Sequence, residues 1–185
     1  MGTASSLAPD LRILAATRQH LPHLAAIEAA AGELFPVEDL PEPLRSLGLS
    51  PEEFETALAA DLLWVAVADG VTPIAFLLAR AVDGCLHICE FDVHPDHGRR
   101  GVGTRLLEHV LTLARQRAYQ AVTLTTFEHL PWNAPYYARH GFEVIASDAI
   151  RGGLAEIVAK EKALGMTRRV AMRLQLRPGR PSGWI

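Results

Sequence analysis

The sequence predicts an α/β fold in which helices flank a mixed, mostly antiparallel central sheet of about seven strands. Three observations favour this class. Short apolar and β-branched strand patterns alternate with patterns of helical period. Three of the strands follow one another through tight turns, which predicts an antiparallel meander. The strand–helix–strand unit that comes next predicts one parallel pair, because parallel neighbours need a crossover connection.

Length and composition favour one folded domain without a large charged surface. The chain has 185 residues, 49% of them hydrophobic, and we expect a single domain over residues 1–176 with a disordered tail at residues 177–185. A net charge of −3 argues against a nucleic-acid surface. No apolar run predicts a membrane span or a signal peptide, and Cys85 and Cys89 lie too far apart on one strand for a disulfide. We therefore expect a reducing, cytoplasmic location.

The first elements are predicted from one apolar run and two helix-start signals. Residues 11–15 form a short apolar run that is typical of a strand. Thr17 is the predicted cap of a helix that ends near residue 31. Ser50 is followed by Pro51 and two acids, and Glu53 completes a capping box with Ser50. A second helix therefore begins here and is expected to end near residue 60.

The central strands are predicted from apolar segments that are separated by turn signals. Residues 62–68 and 74–80 form a hairpin, and a second tight turn leads into a strand at residues 85–93. From Val102 the apolar spacing becomes helical and continues to about residue 118. Residues 121–127 are rich in β-branched side chains and form the next strand. Since this strand follows a crossover helix, it runs parallel to its neighbour, and the two can splay at one end.

The C-terminal elements are a short helix, a strand, a longer helix and a final strand. Asn133 is a good helix cap, and Gly141 is a good left-handed stop about two turns later. Residues 142–145 begin another strand. Residues 151–163 have an apolar side at helical spacing. Residues 170–176 alternate between apolar and polar side chains, as a half-buried strand does.

A glycine-rich turn (residues 98–104) joins the central strand to the helix that begins at residue 102. Gly101 and Gly103 let the backbone approach a ligand closely, and the N-terminus of a helix favours negative charge. Arg99 and Arg100 add cations beside the same place. The turn has neither the Gly-Lys-Ser/Thr ending of a Walker loop nor the third small residue of a dinucleotide fingerprint. It predicts a phosphate site of another type.

This turn resembles the acetyl-CoA-binding segment of the GNAT superfamily of N-acetyltransferases. The order is Val-x-Pro, then Arg-Arg-Gly-Val-Gly-Thr, then Leu-Leu. Gly101 and Gly103 match the two small positions of the family pattern Gln/Arg-x-x-Gly-x-Gly/Ala. Gly98 departs from its leading Gln/Arg position, and Arg99 or Arg100 is the candidate replacement.

A second segment carries the same resemblance. GNAT chains commonly have an Asn, then a Tyr, three residues and Gly-Phe, and Asn133, Tyr137, Gly141 and Phe142 follow that order. The family often has more residues between the Asn and the Tyr, so a helix cap is the alternative role of Asn133. The resemblance implies a V-shaped gap between the fourth and fifth strands, which in the family holds the pantetheine arm of CoA.

The resemblance also implies the site residues and the co-substrate, acetyl-CoA, with no metal. The residues expected at the cofactor are Phe91, Asp92, Val93, Arg99, Arg100, Gly101, Val102, Gly103, Thr104 and Asn133. Backbone N–H groups near Asp92 and Val93 are expected to contact the oxyanion, and in the family such groups lie at a bulge of this strand. Glu90, placed by simple alternation on the opposite strand face from Cys89 and Phe91, is the candidate general base, with Asp92 as runner-up. Tyr137 is the candidate general acid for the departing thiolate.

These expectations lead to two functional hypotheses. The first is transfer of an acetyl group from acetyl-CoA to a primary amine, on a small molecule or a peptide, by direct attack. The alternative is a catalytically silent acyl-CoA-binding module with a regulatory role. Neither nucleic acid nor a membrane is an expected partner, and a homodimer is one possible assembly. For the proline-rich, acidic residues 32–50, a solvated loop and a substrate-side lid that attracts a cationic amine through Glu33, Glu38 and Asp39 are both considered.

Overall fold

A computed structural model describes residues 11–68 and 70–176, and it confirms the predicted fold class. The strands are β1 (Arg12–Ala15), β2 (Leu63–Val67), β3 (Pro73–Val82), β4 (Cys85–Val93), β5 (Ala121–Phe127), β6 (Glu143–Val144) and β7 (Arg169–Gln175). The helices are α1 (Leu21–Gly32), α2 (Glu42–Arg45), α3 (Pro51–Ala59), α4 (Val102–Gln116), α5 (Ala134–Arg139) and α6 (Gly152–Ala163). The predicted tail at residues 177–185 lies outside the described residues. Within the two described ranges, no helix has the length and apolar character needed to cross a bilayer.

The seven strands form one sheet in the order β1-β2-β3-β4-β5-β7-β6. β4 and β5 pair in parallel, and the other neighbouring pairs of the described sheet are antiparallel. The parallel pairing holds at only three positions and ends with Ile88 opposite Leu124. β4 continues to Val93 and β5 to Phe127, so the two strands part beyond this point. The predicted splay between the fourth and fifth strands is confirmed.

Helices cover both faces of the sheet, because neighbouring residues of the central strands point to opposite sides and both sides are apolar. Leu77 of β3 belongs to the core on the α4 side, together with Leu106. Phe76 belongs to the core on the other side, where it packs with Leu24 of α1 and Phe54 of α3. Full burial of one such side chain contributes roughly 1.5–3 kcal/mol to the free energy of unfolding.

A β-bulge interrupts the pairing of β3 with β4. Leu78 lies opposite Glu90, but Ala79 lies opposite Ile88, so Cys89 is an extra residue on β4. Simple alternation therefore gives the wrong face for Cys89. Its side chain packs against the α1 and α3 side, which is also the side of Leu78 and of its partner Glu90. The bulge lies at the position where β4 leaves β5.

The sequence predicts the N-terminus of α3 correctly and that of α1 incorrectly. Thr17 does not cap α1, because its backbone N–H donates to Nδ1 of His20 at 3.0 Å in a turn that precedes the helix. The helix begins only at Leu21. The capping box of α3 is present as predicted, with the Ser50 hydroxyl accepting from the Glu53 amide and the Glu53 carboxylate accepting from the Ser50 amide.

The segment at residues 33–45 is tied down, so a freely solvated loop is the wrong description of it. The guanidinium of Arg45, in the short helix α2, is largely buried and donates to the carbonyl oxygens of Leu40, at 2.9 Å, and of Phe35. It also donates to the Glu33 carboxylate at 3.2 Å. One planar side chain thus holds three points of the segment.

We expect Arg45→Ala to lower the free energy of unfolding by about 1–3 kcal/mol, because two buried carbonyl oxygens lose their charged donor. Urea unfolding measures this change, and limited proteolysis should show faster cleavage within residues 33–45. Arg18→Ala is the matched control, since its ion pair with Glu55 is exposed and should cost about 0.5 kcal/mol or less. Equal losses in the two variants would contradict the structural role of Arg45.

Candidate active site

A cavity of about 860 Å³ opens where β4 and β5 part. Its wall is formed by the glycine-rich turn, the end of β4, α5 with the turn before it, and the end of α1 with the residues that follow. The predicted site residues that line it are Phe91, Asp92, Val93, Arg99, Gly101, Val102, Gly103, Thr104, Asn133 and Tyr137. Two predicted site residues, Glu90 and Arg100, do not line it.

The glycine-rich turn presents unpaired backbone amides to this cavity. Gly101 precedes the first residue of α4 with φ of 79°, a left-handed conformation that glycine adopts without strain. Among the described residues, no acceptor takes a hydrogen bond from the N–H groups of residues 99–104. The first N–H groups of a helix lack intrahelical partners and carry partial positive charge. Together these amides form a site for an anion.

The end of β4 comes close to position 103. A Cβ atom there would lie 3.4 Å from the Phe91 ring and 3.4 Å from a Val93 methyl group, which leaves room for only a small residue. The glycine-rich turn and the parted strand end are therefore in direct contact.

The amides of β4 that face the gap can be identified from the antiparallel pairing with β3. The His94 amide donates to the Ile74 carbonyl at 2.9 Å, and hydrogen-bonded pairs alternate along such a ladder. The amide of Asp92 therefore points toward β3, whereas those of Phe91 and Val93 point away from it, toward the gap. Of the two amides named from the sequence, only that of Val93 faces the gap.

Tyr137 lies at the centre of an aromatic cluster beside the gap. Its ring is buried against Phe142, with centroids 5.6 Å apart, and against Phe91, at 6.5 Å. Burial raises the pKa of its hydroxyl, and the nearby Tyr136, Glu90 and Asp92 raise it further. The hydroxyl thus keeps its proton at neutral pH, and the residue lines the cavity.

Asn133 does not cap α5 through its side chain. Its Oδ1 instead accepts a hydrogen bond from the Thr126 hydroxyl of β5 at 2.6 Å. Its Nδ2 is buried and donates to no acceptor among the described residues. The amide group is therefore oriented by β5 and leaves a donor available at the cavity wall. Asn133 occupies the N-cap position of α5 through its backbone carbonyl alone.

Glu90 and Asp92 lie next to each other on the face of β4 that α1 and α3 cover. Burial, followed by the charge of Glu28, raises the pKa of Glu90 to about 7. Burial and the neighbouring Glu90 raise the pKa of Asp92 well above its usual range. The two carboxyl groups therefore titrate as a coupled pair, and both pKa values lie above their usual range.

Glu28 extends this acidic group from α1. Its carboxylate accepts a hydrogen bond from the Leu49 amide at 2.8 Å, and burial raises its pKa. Sequence patterns gave no reason to include it, because it lies far from Glu90 in the chain. Glu28, Glu90 and Asp92 thus form a group of three carboxyls with raised pKa values, of which Asp92 lines the cavity.

Two of the three acids considered for a cation-attracting lid are paired within the protein, and the third, Glu38, is exposed but does not line the cavity. Asp39 is buried and accepts a hydrogen bond from Nε2 of His129 at 2.8 Å, with the guanidinium of Arg168 at 3.8 Å. Glu33 pairs with Arg45. The residues of this segment that do line the cavity are apolar, Leu34 and Phe35.

His87 and Cys89 of β4 have structural environments. His87 is buried, its Nδ1 lies 3.1 Å from the Thr123 hydroxyl, and burial lowers its pKa to about 4. Burial raises the pKa of Cys89 to about 11, which leaves its thiol protonated and weakly nucleophilic. Within the described residues, no group of three or more His, Cys, Asp or Glu side chains is arranged to hold a metal ion.

Residues 24–142 match the sequence profile of the acetyltransferase (GNAT) family, which is well over half of the chain. The chain belongs to the GNAT family. This confirms the family that the glycine-rich turn and the Tyr137 segment resembled, and the parted β4 and β5 strands of this GNAT chain agree with it.

Known proteins resemble this GNAT chain in sequence and in fold. Over 82 residues it is 33% identical to YjaB, a peptidyl-lysine N-acetyltransferase of Salmonella typhimurium, a match that covers 44% of this chain and 50% of the relative. The chain thus matches about half the length of that curated relative. The fold resembles the ribosomal-protein-S18-alanine N-acetyltransferase from Escherichia coli, with a TM-score of 0.64, 19% identity and coverage of 95% of this chain and 100% of that one. It also resembles the PaiA N-acetyltransferase from Thermoplasma acidophilum in complex with coenzyme A, with a TM-score of 0.66, 14% identity and coverage of 90% and 99%.

Proposed function

We propose that this GNAT chain is an acetyl-CoA-dependent N-acetyltransferase that acts on a primary amine by direct attack. The observation that carries the proposal is the row of unpaired amides at residues 99–104, at the head of a cavity that ends beside the buried Tyr137. The GNAT relatives, which carry acetyltransferase names, support it. We further propose a cytoplasmic location, since Cys85 and Cys89 are free thiols.

The residues of the cavity fit acetyl-CoA. The amides of residues 99–104 and the side chain of Arg99 would hold the pyrophosphate. The gap-facing amides of Phe91 and Val93 would bind the pantetheine arm and the acetyl carbonyl oxygen, and the free Nδ2 of Asn133 would donate to a cofactor oxygen. Acetyl-CoA, when bound, supplies the acetyl group as an activated thioester.

The acidic group and Tyr137 would carry out the proton transfers. Glu90, directly or through water, accepts the proton of the ammonium group, and the amine nitrogen then forms a bond to the acetyl carbon. The amide of Val93 stabilises the negative charge that develops on the carbonyl oxygen. As the carbon–sulfur bond breaks, the Tyr137 hydroxyl donates its proton to the sulfur, and the second proton that the nitrogen loses on becoming an amide restores the Tyr137 hydroxyl. Tyr137 and the carboxyl pair together favour an enzyme over a silent acyl-CoA-binding module, which needs neither.

Replacing Tyr137 by Phe should lower kcat by about 10²- to 10⁴-fold, because the thiolate loses its proton donor. Release of free thiol from acetyl-CoA in the presence of an amine measures this. Tyr136→Phe is the matched control: its hydroxyl lies 3.6 Å from the Cβ position of Gly103, at the head of the cavity. We expect it to change the KM for acetyl-CoA more than kcat. A loss of kcat below twofold in Tyr137→Phe would refute the role of Tyr137 as acid.

The pH dependence of kcat/KM should show an acid-side limb with an apparent pKa near 7, since Glu90 accepts a proton only when ionised. Glu90→Gln should remove this limb and lower the rate. Glu28→Gln should keep the limb but move it to lower pH, because the Glu28 charge is one cause of the raised pKa of Glu90. A profile of Glu90→Gln identical to that of the unsubstituted protein would exclude Glu90 as the base, and Asp92→Asn would then be the variant to compare.

A further inference from the structure

One part of the cavity wall is apolar and is only partly covered by the fold. It is formed by Leu34 and Phe35 after α1 and by Pro131 and Trp132 before α5. Leu34 is 52% exposed and Trp132 is 47% exposed, although both are large apolar side chains. A contiguous apolar patch that lines a cavity is typical of a place that a ligand or partner covers. None of these four residues is among those proposed above to bind acetyl-CoA.

The two loops that carry this apolar wall are fastened to each other. The Phe35 ring packs edge-on against Trp132, with centroids 6.3 Å apart, and tilted against Phe127, at 5.5 Å. The hydrogen bond of Asp39 to His129 joins the same two loops at 2.8 Å. The apolar wall is therefore a bounded pocket bridged by side chains, which suits a small ligand better than an extended peptide lying across the sheet.

The charge of the surroundings fits a cation at one end of this pocket. Asp92 and Tyr137 line the same cavity, and Glu90 lies beside Asp92. The acids of the segment after α1 do not extend this charge to the apolar wall, because Asp39 and Glu33 are paired with His129 and Arg45. A ligand that fits both the apolar wall and the end of the cavity at Asp92 carries one amino group on an otherwise apolar molecule, without further charges.

We propose that the acceptor is a small primary amine with an apolar, preferably aromatic, substituent. The substituent contacts Leu34, Phe35 and Trp132, while the amino group lies beside Asp92 and Tyr137. This inference rests on the proposed acetyltransferase function and narrows its substrate. Lysine side chains of peptides and linear polyamines are the competing acceptors, and they carry charge or polar backbone where the pocket is apolar.

The test compares kcat/KM for a series of acceptors at one acetyl-CoA concentration: methylamine, butylamine, 2-phenylethylamine, spermidine and a lysine peptide. Each additional buried methylene should raise kcat/KM about fourfold, since its burial contributes about 0.8 kcal/mol. We expect 2-phenylethylamine to exceed methylamine by at least about tenfold and to exceed spermidine and the peptide. Acetylation that is equal across the series, or best with spermidine or the peptide, would overturn this inference and leave the acetyltransferase function standing. Acetylation of none of the acceptors would overturn both.

Two serine variants test whether the preference for apolar acceptors comes from the apolar wall. Leu34→Ser should lower the ratio of kcat/KM for 2-phenylethylamine to that for methylamine by about threefold to tenfold, mainly through KM, because apolar contact is lost. Val37→Ser is the matched control, because Val37 is on the same segment and 66% exposed but does not line the cavity. Its ratio should stay within twofold of the unsubstituted value. An unchanged ratio in Leu34→Ser, or an equal fall in both variants, would contradict the pocket.

Discussion

The early end of the hydrogen-bonded pairing between β4 and β5 is the constraint on which the site depends. After Ile88 and Leu124, the facing backbone groups of the two strands no longer satisfy each other. Buried amides without partners are costly, so groups at such a place favour a ligand that can accept their hydrogen bonds. The glycine-rich turn adds amides of the same kind a few residues later. The fold thus concentrates unpaired donors along one path from the gap to the N-terminus of α4.

The β-bulge at Cys89 joins this opening to the acidic group. The extra residue changes the register of β4 at the place where the strand leaves β5. It leaves Glu90 and Asp92 together on the side that α1 covers, where Glu28 is close enough to raise the pKa of Glu90. The same bulge therefore directs the amides of Phe91 and Val93 toward the gap and places Glu90 where its pKa is raised to about 7. Neither effect needs a long-range motion of the domain.

Much of the fold and part of the site could be predicted from the sequence, because the signals are local. Gly101 and Gly103 mark the turn, Ser50 and Glu53 mark a helix start, and the spacing of Tyr137, Gly141 and Phe142 marks the family. The family resemblance implies a bulge in this strand, but no residue pattern marks its position, so the face of Cys89 was predicted wrongly. The contact of Asp39 with His129 joins residues 90 positions apart, and Glu28 approaches Glu90 only in the folded chain. The pairing of Glu33 with Arg45, which bears on the lid hypothesis, likewise appears only in the folded chain. Leu34 and Trp132 are large apolar residues near prolines, and this pattern is the local signal that could have indicated the apolar pocket.

The most direct test of the central claim is to follow the backbone amides of the ¹⁵N-labelled protein by NMR while coenzyme A is added. The account predicts that the largest saturable shifts fall on the amides of Gly101, Val102, Gly103 and Thr104 and on those of Phe91 and Val93, with the Asp92 amide changing less. Saturable shifts that leave these amides unchanged and cluster elsewhere on the sheet would contradict it, as would the absence of any saturable shift at millimolar coenzyme A.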